Sequence, residues 1–210
     1  MNTCGLRWFY FINCKSQPFY VRRTFILEHG CYAGEECLTL KMINARKERL
    51  TDEDFRRLAE IEEHPEVAKW DIPAYEGDVE KAFTAFKKSI KNISRTRDEF
   101  LVAMLDGRVV GFVGVHGLKG EIGEIAHVGE IGIVVHPDFQ RRGIGTKLLK
   151  ACVNLARKRG FERLEADTLA HNTAMTCILK KAGFKLEGVR CKRIKRNEKY
   201  YDEACYAILL

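Results

Sequence analysis

The stretch Gly132-Ile-Val-Val-His-Pro-Asp-Phe-Gln-Arg-Arg-Gly-Ile-Gly145 has the residue types and spacing to grip an anion. An apolar, β-type run stops at His136-Pro137. The chain then turns through Gln140, Arg141, Arg142, Gly143, Ile144 and Gly145, and an amphipathic helical pattern follows. The unpaired N–H groups of a first helical turn, at the positive end of the helix dipole, make a ready site for phosphate. Gly143 and Gly145 put no Cβ in the way of a bulky ligand, and Arg141 and Arg142 add charge. Two other phosphate loops fit poorly. Leu148 stands where a dinucleotide fingerprint needs its third glycine, and no Gly-x-x-x-x-Gly-Lys-Ser/Thr occurs.

Carboxylates and histidines, the candidates for moving a proton, lie near this segment. Glu130 lies two residues before the segment, and Asp167 lies on a later apolar run, five residues before Asn172. His127 and His136 are weaker candidates, since a lone histidine beside a strand is more often merely hydrogen-bonded. The eight cysteines, at 4, 14, 31, 37, 152, 177, 191 and 205, contain no Cys-x-x-Cys and no zinc-type Cys/His spacing. Cys152 and Cys177 fall inside apolar helical patterns. Reduced thiols, a cytoplasmic setting and no metal are therefore expected.

The elements that must carry these residues are legible from Met42 onward. Residues 42–49 read as a short first strand. Thr51 to Asp54 form a capping box ahead of the helical stripe Phe55, Leu58, Ala59 and Ile61. A second helix follows Asp78. Two apolar runs flank Asp106-Gly107, a hairpin signal, and a strand covers 128–135. A helix runs from about 143 to 159, then come a strand at 163–169, a helix capped by Asn172, and strands at about 185–193 and 200–209. This order predicts an α+β fold: a mixed, mostly antiparallel central sheet flanked by about four helices.

Residues 1–41 differ. They hold four of the cysteines and eight aromatics, with neither helical nor alternating periodicity. The expectation is an N-terminal extension over 1–41, with Met42 as a natural start, and a domain over 42–210. The alternative is a genuine added hairpin or a homodimer contact. No apolar run is long enough for a membrane-spanning helix. The net charge is +7, concentrated in residues 140–200 with 17 Lys/Arg against five Asp/Glu, whereas 42–99 carry 12 against 14. A basic half suits a phosphorylated ligand, and no recognised motif supports a nucleic-acid partner.

These motifs resemble the GNAT superfamily of acetyl-CoA-dependent N-acetyltransferases. The family's Gln/Arg-x-x-Gly-x-Gly/Ala turn is matched by Gln140-Arg-Arg-Gly-Ile-Gly145. Its asparagine followed by Gly-Phe is matched by Asn172 and Gly183-Phe184, and a closing tyrosine pair by Tyr200-Tyr-Asp202. The resemblance spans about Met42 to Leu210. It implies acetyl-CoA as co-substrate, its acetyl and pantetheine groups along the backbone of Ile133, Val134 and Val135. It also implies a pyrophosphate on the turn from Gln140 through Arg141, Arg142, Gly143, Ile144, Gly145 and Thr146, and a pantetheine bond from Asn172, which is equally a plain N-cap. Glu130 or Asp167 would then deprotonate an acceptor amine, either a protein amine or a small one. The sequence departs from the family at Leu179, where a tyrosine usually protonates the departing thiolate, and at Met175, usually alanine. Water, Tyr200 or Cys177 is left to supply that proton. A CoA-binding module without catalysis is the alternative reading.

Overall fold

The computed structural model describes residues 9–12, 20–24, 36–71, 74–118 and 123–210. Its strands are β1 (Phe9–Ile12), β2 (Tyr20–Thr24), β3 (Glu36–Asn44), β4 (Glu99–Leu105), β5 (Arg108–Gly117), β6 (Val128–Val135), β7 (Arg163–Leu169), β8 (Lys185–Arg196) and β9 (Lys199–Leu209). The helices are α1 (Asp52–Glu62), α2 (Pro65–Ala68), α3 (Val79–Asn92), α4 (Ile144–Lys158) and α5 (Thr173–Lys181). The strands form one sheet in the order β1-β2-β3-β4-β5-β6-β7-β9-β8. Every neighbouring pair is antiparallel except β6 and β7, which α4 connects as a crossover. The expected α+β architecture is present, with the seven strands β3–β9 as its body.

Local chemistry explains the boundaries. Thr51 accepts the Asp54 amide and the Asp54 carboxylate accepts the Thr51 amide, so the capping box that opens α1 is complete. Asp106 and Gly107 have φ of 49° and 77°, the left-handed pair that a tight hairpin between β4 and β5 requires. The expected first strand at 42–49 is corrected: β3 ends at Asn44 and begins at Glu36. Its pairing with β4 starts at Leu40 opposite Leu105, and Leu40 is buried. The error has a physical origin. Leu38 to Ile43 is a mixed run without clear alternation, and the start of the strand is set by its pairing, Glu36 opposite Arg23 of β2. The short α2 was also not anticipated. Pro65 at its first position and His64, whose Nδ1 accepts the Glu66 amide, build it within four residues.

The sheet has two faces and two cores. Leu148, Leu149, Cys152 and Ala156 of α4 and Leu179 of α5 pack on Val113, Val115, Ile131, Leu164 and Ala166. On the opposite face Phe55, Leu58 and Ile61 of α1 pack on Val102, Phe112 and Val134, joined by Phe83 and Phe86 of α3. Each fully buried leucine contributes roughly 1.5–3 kcal/mol relative to exposure. At the far end, buried Glu99 accepts a hydrogen bond from Asn44 at 2.8 Å and pairs with Arg46 at 3.3 Å and with Arg159, tying β3, β4 and the end of α4 together.

Candidate functional site

The sheet splits where the sequence places its anion motif. β6 and β7 pair only at Val128–Arg163, Gly129–Leu164 and Glu130–Glu165. Beyond that point β6 stays on β5 as far as Val135 opposite Gly111, and β7 stays on β9 as far as Leu169 opposite Glu203. The two strands therefore diverge, and among the described residues the β7-facing edge of residues 131–135 has no strand partner. A main chain with one free edge can bond an extended, amide-bearing ligand as an added strand would. Ile133, Val134 and Val135 lie along that edge.

At the end of the gap the chain makes the bend. His136 accepts the Asp138 amide through Nδ1 and starts a single 3-10 turn, Pro137–Phe139. Gln140 is spent on the bend, donating from Nε2 to the Val135 carbonyl at 2.9 Å. Arg142 folds back, donating to the Asp138 carbonyl at 2.8 Å with its guanidinium 5.2 Å from the Phe139 ring centre. Arg141 is exposed at φ 61° and Gly143 sits at φ 77°. α1, α2, α3 and α5 all open with a side-chain acceptor, from Thr51, His64, Asp78 and Asn172. α4 opens on Gly143 with no side-chain cap bond. The first of its amides to reach an intrahelical acceptor belongs to Lys147, bonded to the Gly143 carbonyl. The amides of Ile144, Gly145 and Thr146 thus point out of the helix end, and a Cβ built on Gly143 would meet nothing within 4 Å. An uncapped positive helix end facing open space fits a diphosphate.

The candidate acids share the α1/α3 face of the sheet. Glu130 stands opposite His116 in register, their side chains 3.6 Å apart. The imidazole is the main cause that holds the Glu130 carboxyl below its ordinary value, and the carboxylate in turn raises His116. Asp167 is bound by Arg190, whose Nη1 reaches both Asp167 and Glu203 at 2.7 Å. Both candidate bases therefore already have a cationic or protonatable partner, which sequence spacing did not reveal. Asn172 is also engaged at both ends. Its Oδ1 accepts the Met175 amide at 3.0 Å and its Nδ2 donates to the Trp70 carbonyl at 3.4 Å. Leu179, in the tyrosine position, is fully buried in the α4/α5 core, so it is a packing residue. Cys177 is exposed on α5, and Tyr200 is exposed beside the β8–β9 turn, 5.8 Å from the Lys195 ammonium.

A segment not foreseen crosses the mouth of the gap. Residues 64–71 begin with His64, whose ring lies 5.3 Å from that of His136 at the end of β6. They finish at the end of β7, where Trp70 meets His171 at 5.7 Å and Asn172 holds the Trp70 carbonyl. Arg196, from β8, donates to the carbonyls of Ala68 at 2.7 Å, Lys69 at 3.3 Å and Asp71. The segment is a strap from one lip of the gap to the other.

The family model for an acetyltransferase (GNAT) domain matches residues 48–185, more than half of the chain. The chain belongs to the GNAT acetyltransferase family. Among curated relatives, the probable N-acetyltransferase camello of Xenopus tropicalis is 35% identical over 86 residues, 41% of this chain and 38% of that protein. An uncharacterised N-acetyltransferase of Methanocaldococcus jannaschii is 34% identical over 93 residues, 44% of this chain and 41% of its own length. The alignments thus span about two-fifths of these relatives. Among solved structures, the ribosomal-protein-alanine N-acetyltransferase of Brucella melitensis superposes with a TM-score of 0.68 at 21% identity, covering 81% of this chain and 99% of that one. The acetyltransferase yncA of Salmonella typhimurium, solved with acetyl-CoA, gives 0.68 at 18% identity over 80% and 94%. At these identities the structural likeness speaks for the GNAT fold alone. Among the described residues no helix is long and apolar enough to cross a membrane.

Proposed function

We propose that this protein transfers the acetyl group of acetyl-CoA to a primary amine by direct attack, residues 42–210 forming the acetyltransferase domain with the earlier half of β3 completed by the extension. The observation that carries this reading is the divergence of β6 from β7 ending at an uncapped α4. The free edge of Ile133 to Val135 is suited to the pantetheine arm and the amides from Arg141 to Thr146 to the diphosphate, within the basic half of the chain. Acetyl-CoA supplies an activated thioester. The chain's own residues hold it, present the acceptor, and manage protons.

A lysine-type amine with pKa near 10.4 is unprotonated in roughly one molecule per thousand at pH 7, so the acceptor must lose a proton before attack. A backbone N–H on β6 would meet the developing oxyanion. Glu130 with His116, and Asp167 with Arg190, set the charge of the face from which the amine arrives, and are assigned here to orienting it. The acceptor is a protein N-terminal or lysine amine, or a small amine. With Leu179 buried, the departing thiolate takes its proton from water, Cys177 or Tyr200, which a thiol of pKa about 8.5 tolerates.

Free-thiol release from acetyl-CoA, measured over a panel of peptides and small amines, tests the proposal. Acceptor-dependent thiol release is expected, with slower turnover in Glu130→Gln and Asp167→Asn. CoA binding without thiol release for any acceptor would overturn the enzymatic reading in favour of a CoA-binding module.

A further inference from the structure

α1 carries an acid on its apolar stripe. Phe55, Leu58 and Ala59 are buried against the sheet, and Glu62 follows Phe55 by seven residues and Ala59 by three, which sets it on the same face. α1 delivers its C-terminal end to the end of β6, as the His64–His136 ring contact shows. Glu62 therefore lies just before the strap, at the β6 lip of the gap. Gly132 of β6 is exposed, and among the described residues a Cβ there would meet nothing within 4 Å. Glu62 Oε2 is closed off from solvent and, among the described residues, has no hydrogen-bond donor. A buried carboxylate oxygen left without a donor is unfavourable, and asks for one.

We propose that Glu62 is the general base of the acceptor site, receiving a proton from the ammonium group of the amine, directly or through one water molecule. This rests on the acetyl-transfer reading above. The balance is simple. The ammonium gives one proton to Glu62, and its nitrogen lone pair forms the bond to the thioester carbonyl carbon. The C–S bond breaks with its pair on sulfur, the remaining excess proton on nitrogen passes to the thiolate through solvent, and Glu62 returns its proton to solvent. Among the described residues Glu62 differs from Glu130 and Asp167, which face His116 and Arg190, in having no donor to its buried oxygen. Burial, with the nearby charges of Asp71 on the strap and Glu63 at the end of α1, raises its carboxyl to about 7. Glu63 itself is engaged, accepting the amides of Tyr75 and Gly77 at 3.2 and 2.7 Å. A base titrating near neutrality removes a proton at working pH without being silenced by it.

The test is the pH profile of kcat in the wild type and in Glu62→Gln, with CoA binding measured alongside. In the wild type kcat is expected to rise through a limb near pH 7 that stays fixed when acceptors of different amine pKa are compared. Glu62→Gln should lose about 100-fold or more in kcat and lose the limb, with CoA affinity unchanged. A wild-type limb that follows the pKa of the amine, or a variant that keeps its rate and limb, would overturn the assignment. Should Glu62→Gln not fold, the wild-type comparison across acceptors still decides. A wild type that never releases thiol would instead refute the acetyl-transfer reading, so the two failures are distinct.

Discussion

Replacing Glu62 by glutamine should stabilise the protein, increasingly as pH rises from about 4.5 to about 7 and fully above that. The Glu62 carboxyl stands at about 7 in the folded chain, against an ordinary glutamate value of 4.5, with burial as the first cause. Between those pH values the folded state binds a proton that the unfolded state does not. Stability therefore falls as pH rises from about 4.5 to about 7, and the loss is complete above 7. Two and a half units correspond to about 3 kcal/mol as an upper value. The glutamine is uncharged throughout and of similar shape, so it escapes that penalty. Thermal unfolding followed by circular dichroism at pH 4.5, 6 and 8 reads the effect. The melting temperatures should be close at pH 4.5, and the variant should lead by about 6–12 °C at pH 8 for a chain of this size. An offset independent of pH, or a wild type that is the more stable at pH 8, would refute the reasoning, because either result means that Oε2 has found a donor in the folded protein. A site that is stabilised by removing its charge while losing turnover is the usual mark of a functional group held at a cost to the fold.

Two other substitutions probe the remaining parts. Gly143→Ala puts a side chain at φ 77° and a methyl group into the open space before α4. It should cost about 1–2 kcal/mol in stability and weaken CoA binding about tenfold or more by calorimetry; unchanged affinity would remove the bend from the binding site. Glu99→Ala leaves Arg46 and Arg159 without their shared, buried acceptor. A loss of about 3–5 kcal/mol in urea unfolding is expected, and a loss under 1 kcal/mol would mean that the pairs contribute little.

Much of the fold was written in local signals. The capping box at Thr51, the left-handed pair Asp106-Gly107, the glycine opening α4 and the Asn172 cap each mark an element end by chemistry within four residues, so the sequence alone placed most strands and helices. The bend before α4 was legible for the same reason, since a strand, a glycine turn and an amphipathic helix are contiguous. Glu62 had left a faint trace as an acid on an apolar helical stripe. The start of β3 escaped because pairing with β2 sets it, Glu36 standing opposite Arg23.

What tertiary structure alone decided is which charges remain to do chemistry. Glu130 and Asp167 stand where their strands put them, but His116 and Arg190, 14 and 23 residues away in the chain, occupy them. The divergence of β6 from β7 and the strap from His136 to Asn172 depend on contacts between segments up to 128 residues apart, such as Arg196 with Ala68. Local sequence fixes backbone turns because the interacting groups are neighbours in the chain. The partner of a charge, and the burial that shifts its proton affinity, are properties of the assembled packing, and no spacing rule encodes them.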